Sequence, residues 1–284
     1  MKIGLVLEGG AMRGLFTAGV MDVLMENNIN LQGAVGVSAG AVFGCNIKSR
    51  QKGRVVRYVT KYCKESRFGS WYSWLTTGNY YGREFGYHEL VDVLDPFDRE
   101  AFKKNPMEFY AVATDINTGE PVYHKCFNAD FTDLEWFRAS SAMPLVSQIV
   151  KIGQYQLLDG GVSDSIPLRF FELLGYQRNI VVLTQPLGFV KQKNPLLPLV
   201  RLLLGRYPAF VEAMAERHFH YNATIQYILE RENAGRALVI RPPVPLGISN
   251  IEKDPVKLRA VYDMGRKAAT VRLAEIKKFT LTQN

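Results

Sequence analysis

The chain has 284 residues, 47% of them hydrophobic and 22% charged, which gives enough apolar side chain for a sizeable core and excludes global disorder. Its formal net charge is +8 and its pI about 9.3. The basic residues are spread along the chain without a recognition motif, so the surplus reads as surface charge and no nucleic-acid partner is expected.

Three widely spaced cysteines, Cys45, Cys63 and Cys126, show neither metal spacing nor a disulfide framework. They point to a reducing compartment such as the cytoplasm. No apolar run approaches ~18 residues, so no transmembrane helix is expected. The first predicted strand, Ile3-Gly4-Leu5-Val6-Leu7, is a continuous apolar run suited to burial on both faces. Because it starts so early, no signal peptide is expected.

A glycine-rich loop follows, Glu8-Gly9-Gly10-Ala11-Met12-Arg13-Gly14, and then a helix that ends near Asn27-Asn28. The apolar run Leu31 to Val35 leads into Gly36-Val37-Ser38-Ala39-Gly40, and Ala41 to Lys48 can be helical. Gly-x-Ser-x-Gly between a strand and a helix is the setting of a nucleophile elbow. Side chains at Gly36 or Gly40 would collide with neighbouring backbone, and Ser38 would project from the tip before a helix N-terminus that favours negative charge. A plain turn with an incidental serine has the same local pattern.

Two chemistries compete for the glycine loop. Dinucleotide binding needs Gly-x-Gly-x-x-Gly and an acid at the end of the second strand. Here Ala11 takes the middle glycine's place and Ser38 lies where the acid would be. An oxyanion hole needs only free backbone N–H groups, such as those of Gly10, Ala11 and their neighbours, aimed at the oxygen that turns negative when Ser38 attacks. The second chemistry uses both motifs at once. Arg13 either steadies the loop or is a surface arginine.

Residues 49 to 100 read as irregular apart from a helix over Arg54 to Cys63. Phe68, Trp71, Tyr72, Trp74, Tyr80, Tyr81, Phe85 and Tyr87 crowd there, as a satellite core under an insertion or as an apolar wall over an acyl chain. A strand is expected over Met107 to Thr114, a short return strand at Val122-Tyr123-His124, and a helix over Phe131 to Ser141 stopped by Pro144. Tyr155 to Leu158 forms a strand ending in Asp159-Gly160-Gly161, a carboxylate with flexible neighbours or a simple turn. Strands at Asn179 to Thr184 and Ala237 to Ile240, and helices at Phe210 to Arg231 and Asp254 to Lys278, complete one α/β domain. The run Pro195 to Leu204, with Lys191, Lys193, Arg201 and Arg206 around it, can lie at a membrane surface, form a dimer contact, or pack on the core; packing is the expectation.

Ser38 needs a base. None of His88, His124, His218 and His220 sits in a loop that would present it, and Arg241 to Asn250, after the last strand, holds no histidine. Asp159 is the alternative: a weak base in water whose basicity desolvation would raise. His124 is next in line.

At this point the three blocks Glu8–Gly14, Gly36–Gly40 and Asp159–Gly161 resemble those of the patatin-like phospholipases, compact bacterial members above all. Ala113-Thr114-Asp115, Thr118-Gly119 and Ala139 to Pro144 add to the match, which spans residues 3 to 168. The resemblance implies a three-layer α/β/α fold with a mostly parallel central sheet over residues 1–284, its C-terminal part, about 195–284, helical. It implies serine acyl hydrolysis of lipid or acyl esters, with Ser38 as nucleophile, Asp159 as base and oxyanion donors from Gly9, Gly10, Ala11, Arg13 and Gly14. No cofactor and no metal are implied, and no oligomer is specified. Ala11 departs from the family's usual glycine. That departure motivates a second reading, a lipid- or acyl-binding protein of weak turnover; a third, a nucleotide-binding protein, rests on the glycine loop alone.

Overall fold

The computed structural model describes residues 1–281. β1 (Lys2–Leu7) buries both faces, because Ile3, Leu5 and Leu7 enter one apolar cluster while Val6 enters another. Alternate residues of a strand point to opposite sides of a sheet, so this single run places covering layers above and below. β2 (Gly33–Val37), β3 (Glu108–Asp115), β4 (Pro121–Cys126), β5 (Val150–Ile152), β6 (Tyr155–Asp159), β7 (Tyr176–Val182) and β8 (Ala237–Ile240) complete an eight-stranded sheet. The β3–β2–β1–β7–β8 path is parallel throughout, and β4, β5 and β6 run antiparallel to their neighbours.

Register explains where the site forms. β4 pairs with β3 from Phe109 to Thr114 and so occupies one edge of it. β2 pairs with β3 up to Val112 and β6 from Ala113 to Asp115, which places β2 and β6 end to end along the other edge. Both strands run toward the junction, so Ser38, just past the end of β2, and Asp159, at the end of β6, are delivered to one point.

One covering layer holds α1 (Gly14–Glu26), α2 (Ala39–Lys48), α3 (Arg54–Tyr62) and α10 (Pro255–Val271). The other holds α7 (Leu168–Leu173) and α9 (Pro208–Asn233). α1 and α10 touch through glycines: a Cβ on Gly19 would lie 2.1 Å from the Tyr262 carbonyl oxygen, and one on Gly265 would lie 2.0 Å from that of Phe16.

Several expectations are corrected. Residues 49–100 are largely helical, with α4 (Trp71–Thr77), a π-helical stretch Phe85–Leu94 and α5 (Arg99–Lys104). The Ser70 and Asp98 side chains cap α4 and α5 by accepting from the N–H groups of Ser73 and Ala101. α6 (Phe131–Ser140) falls within one residue of the expected helix. The expected long terminal helix breaks at Arg272 into α10 and α11 (Leu273–Thr280). In keeping with the expectation of packing, α8 (Leu197–Leu204) buries Leu197 and Val200 against the core, while Leu199, Leu202 and Leu203 stay exposed. Among the described residues no helix is long and apolar enough to cross a membrane.

Candidate active site

Ser38 caps α2 with φ 55° and ψ −124°, a conformation that side-chain-bearing residues hold only under constraint from their surroundings. The constraint is visible. A Cβ on Gly36 would sit 2.1 Å from the Gly40 carbonyl oxygen, and one on Gly40 would sit 2.4 Å from that of Leu7. Only glycine lets α2 start this close to β1 and β2. The Ser38 N–H donates to Ser140 Oγ at 2.9 Å, and its hydroxyl donates to Asp159 Oδ2 at 2.6 Å.

Asp159 is 6% exposed and held from several sides. Its N–H donates to the Ala142 carbonyl, its carbonyl accepts from Thr114 Oγ1, and its Oδ1 accepts from the Gly161 N–H at 2.8 Å. Gly160 lies flat on β3, where a Cβ would come within 2.1 Å of the Val112 carbonyl oxygen. Burial pushes the Asp159 carboxyl above the usual aspartate range, and the Ser38 hydrogen bond, the Arg217 charge, the Gly161 N–H and Lys191 pull it back.

The glycine loop leans on the serine: a Cβ on Gly9 would lie 2.9 Å from Ser38 Cβ. The five expected donors divide. The Arg13 N–H donates to the Gly10 carbonyl and the Gly14 N–H to the carbonyls of Ala11 and Met12, so both are engaged in the single 3-10 turn Ala11–Arg13. That turn corrects the expectation for Arg13 and Gly14. Among the described residues the N–H groups of Gly9, Gly10 and Ala11 have no partner within the protein. Ala11 takes φ 48°, so the alanine that replaces the expected glycine still adopts a glycine-like backbone.

Ser38, Ala11 and Met12 line a narrow apolar cavity walled by Phe43, Tyr81, Leu90 and Phe137. The aromatic stretch therefore divides. Phe68, Tyr81 and Tyr87 line this cavity, whereas Trp71, Tyr72 and Trp74 are exposed. His124 does not approach Ser38. Its Nε2 pairs with Asp133 Oδ1 at 2.9 Å and its ring stacks on Trp136. His124, Cys126 and Asp133 are close enough together to hold a cation. Asp133 Oδ2, however, already accepts three backbone N–H groups, from Phe127, Asn128 and Ala129.

Sequence reading missed a charged group behind the loop. Glu8, 4% exposed, accepts from the Thr184 N–H and hydroxyl and from the Tyr221 hydroxyl at 2.7 Å. Burial pushes its carboxyl up against those bonds. The visible sign was an acid closing a wholly apolar strand, since a buried carboxylate needs partners. Arg217 and Tyr221, one turn apart on α9, and Lys191 gave no such sign.

A family model described as patatin-like phospholipase matches residues 5–171, and one described as a domain of unknown function (DUF6363) matches residues 207–281. The uncharacterized protein YjjU of Escherichia coli is 28% identical over 295 residues, covering 98% of this chain and 78% of the relative. Lysophospholipase nte1 of Aspergillus oryzae is 24% identical over 286 residues, covering 94% of this chain but 18% of that much longer protein. The solved structure of VipD from Legionella pneumophila aligns with a TM-score of 0.44 at 14% identity, covering 95% of this chain and 67% of that one. With its glycine loop, Gly-x-Ser-x-Gly and Asp-Gly-Gly all inside a match that spans more than half its length, the chain belongs to the patatin-like phospholipases, a family of lipid hydrolases.

Proposed function

We propose that the protein is a serine acyl hydrolase of lipid or other carboxylic esters, with Ser38 as nucleophile and Asp159 as its base. The observation that carries this reading is the 2.6 Å hydrogen bond from Ser38 Oγ to Asp159 Oδ2, with Ser38 lining an apolar cavity. Ser38 Oγ attacks the ester carbonyl while Asp159 takes its proton. The carbonyl oxygen, now negative, is met by the N–H groups of Gly10 and Ala11, with Gly9 behind them. Collapse returns the proton to the departing alcohol and leaves an acyl group on Ser38. Water then attacks the acyl carbonyl, giving a proton to Asp159, and that proton passes to Ser38 Oγ as the bond to the acid breaks.

The name of the Aspergillus oryzae relative supports a lipid ester as substrate. The cavity's apolar wall supports an acyl chain as the part enclosed. The same reading takes residues 1–284 as one domain, because β8 and α10, both beyond the matched segment, extend the sheet and cover α1.

Fluorophosphonate labelling of wild type, Ser38→Ala and Asp159→Asn, each checked for folding, tests the assignment. Wild type is expected to label, Ser38→Ala not at all, and Asp159→Asn at least ~10²-fold more slowly. Undiminished labelling of Asp159→Asn would remove Asp159 from the mechanism. A folded wild type that resists the probe would favour the acyl-binding reading, which the strained Ala11 motivates.

A further inference from the structure

The backbone that carries the free N–H groups does not hold itself. Among the described residues Gly9, Gly10 and Ala11 donate to nothing within the protein, and Ala11 keeps φ 48°. A loop with so few bonds of its own retains such a conformation only where its surroundings impose it. Two groups of residues do so, one at each end of the loop.

At the first end stands Glu8. Its N–H donates to the Val182 carbonyl at 3.1 Å, and its buried carboxylate accepts from the Thr184 N–H at 2.5 Å and from the Tyr221 hydroxyl at 2.7 Å. The Thr184 hydroxyl lies 3.1 Å from Glu8 Oε2 and 3.0 Å from the Gly9 carbonyl oxygen, so its one proton is shared between them. This contact decides where the next donor points. The Gly9–Gly10 peptide is trans, and in a trans peptide the C=O and the N–H face opposite ways. A Gly9 carbonyl drawn toward Thr184 turns the Gly10 N–H away from Thr184 and leaves it free.

At the second end stands Asn250, in the connection between β8 and α10. Its carbonyl accepts from the Met12 N–H at 3.4 Å, and its Oδ1 accepts from Arg13 Nη1. Tyr81, which lines the apolar cavity, donates its hydroxyl to the same carbonyl at 3.3 Å. The turn Ala11–Arg13 is therefore tied to a residue far from it in sequence, on the side away from Glu8.

Tyr221 and Asn250 both belong to residues 207–281, the part matched by a domain of unknown function. We propose that this segment is a working part of the active site, in which Tyr221, through Glu8, and Asn250, through Met12 and Arg13, are positioning residues that aim the oxyanion donors from the two ends of the loop. This rests on the acyl-hydrolase reading. A segment that served stability alone would have no reason to place its polar contacts on both ends of one short, strained loop. Neither residue touches the reacting atoms; each acts through the direction of an N–H group, which matters most when the carbonyl oxygen becomes negative.

Steady-state hydrolysis of p-nitrophenyl butyrate, with competent sites counted by exhaustive fluorophosphonate labelling, tests the two anchors. Tyr221→Phe and Asn250→Ala are each expected to lower kcat per labelled site by about tenfold or more and to leave KM within about twofold, because a misdirected N–H is missed by the oxyanion and not by the bound ester. Asn250→Asp keeps an acceptor for Arg13 and should restore most of the rate. A general loss of folding would lower the number of labelled sites instead of the rate at each one. Asn250 is exposed, so its variants carry the test if Tyr221→Phe does not fold. Wild-type kcat per labelled site in both variants, or a loss of activity accounted for wholly by fewer labelled sites, would overturn the inference. A folded wild type that neither labels nor hydrolyses the ester would instead overturn the acyl-hydrolase reading beneath it.

Discussion

Ala11 holds φ 48°, a region where a Cβ costs about 1–2 kcal/mol. Replacing it by glycine removes that strain and adds roughly 0.5–1 kcal/mol of unfolded-state entropy. Ala11→Gly is therefore expected to stabilise the protein by up to about 1 kcal/mol, readable as a higher midpoint in urea unfolding, with the N–H retained. At Asp159 the relevant quantity is protonation. The base works ionised, and burial raises its pKa, so kcat/KM should fall as pH drops through a value above the ordinary aspartate range. Arg217→Gln removes a charge that favours the ionised form and should move this acid limb to higher pH. A limb at the ordinary aspartate value would mean that Asp159 is not the base. Ser38 and Asp159 were legible in the sequence because glycines flank them in patterns with a steric cause. Arg217, Lys191 and Tyr221 were not, because an arginine and a tyrosine on a long mixed helix look alike whether they face water or a buried carboxylate.

Elements were legible where pattern and environment agree. β1, β2, β3, β6, β7 and β8 are apolar runs buried by the layers around them, and all fall within a few residues of expectation. β5, three residues long, has too few positions to show a period. The helices between residues 71 and 104 escaped notice because their aromatic residues divide between cavity, core and surface rather than forming one stripe. The α1–α10 crossing depends on glycines that a helix would otherwise disfavour. Gly265→Ala should therefore push the Phe16 backbone away and lower stability by about 1–3 kcal/mol, the usual cost of overpacking, although alanine is the better helix former. A variant as stable as wild type in urea would show that the crossing relaxes freely.

Taken whole, the molecule carries its matched family segment on a sheet that does not stop there. β8 pairs with β7, and α9 supplies Tyr221 to Glu8 and Arg217 to the neighbourhood of Asp159. Long-range partners of this kind cannot be seen from local pattern, because they depend on which elements the topology brings back. The end-to-end meeting of β2 and β6 on β3 has a thermal consequence. Neither Ser38 nor Asp159 rides on a free loop, so their separation is a property of strand register, which changes only in whole steps of the ladder. The proposed chemistry should then have no intermediate grade of impairment on heating. Fluorophosphonate reactivity and far-ultraviolet circular dichroism are expected to vanish together, at one temperature. Reactivity lost several degrees earlier would mean that the junction of the two strands loosens while the sheet endures.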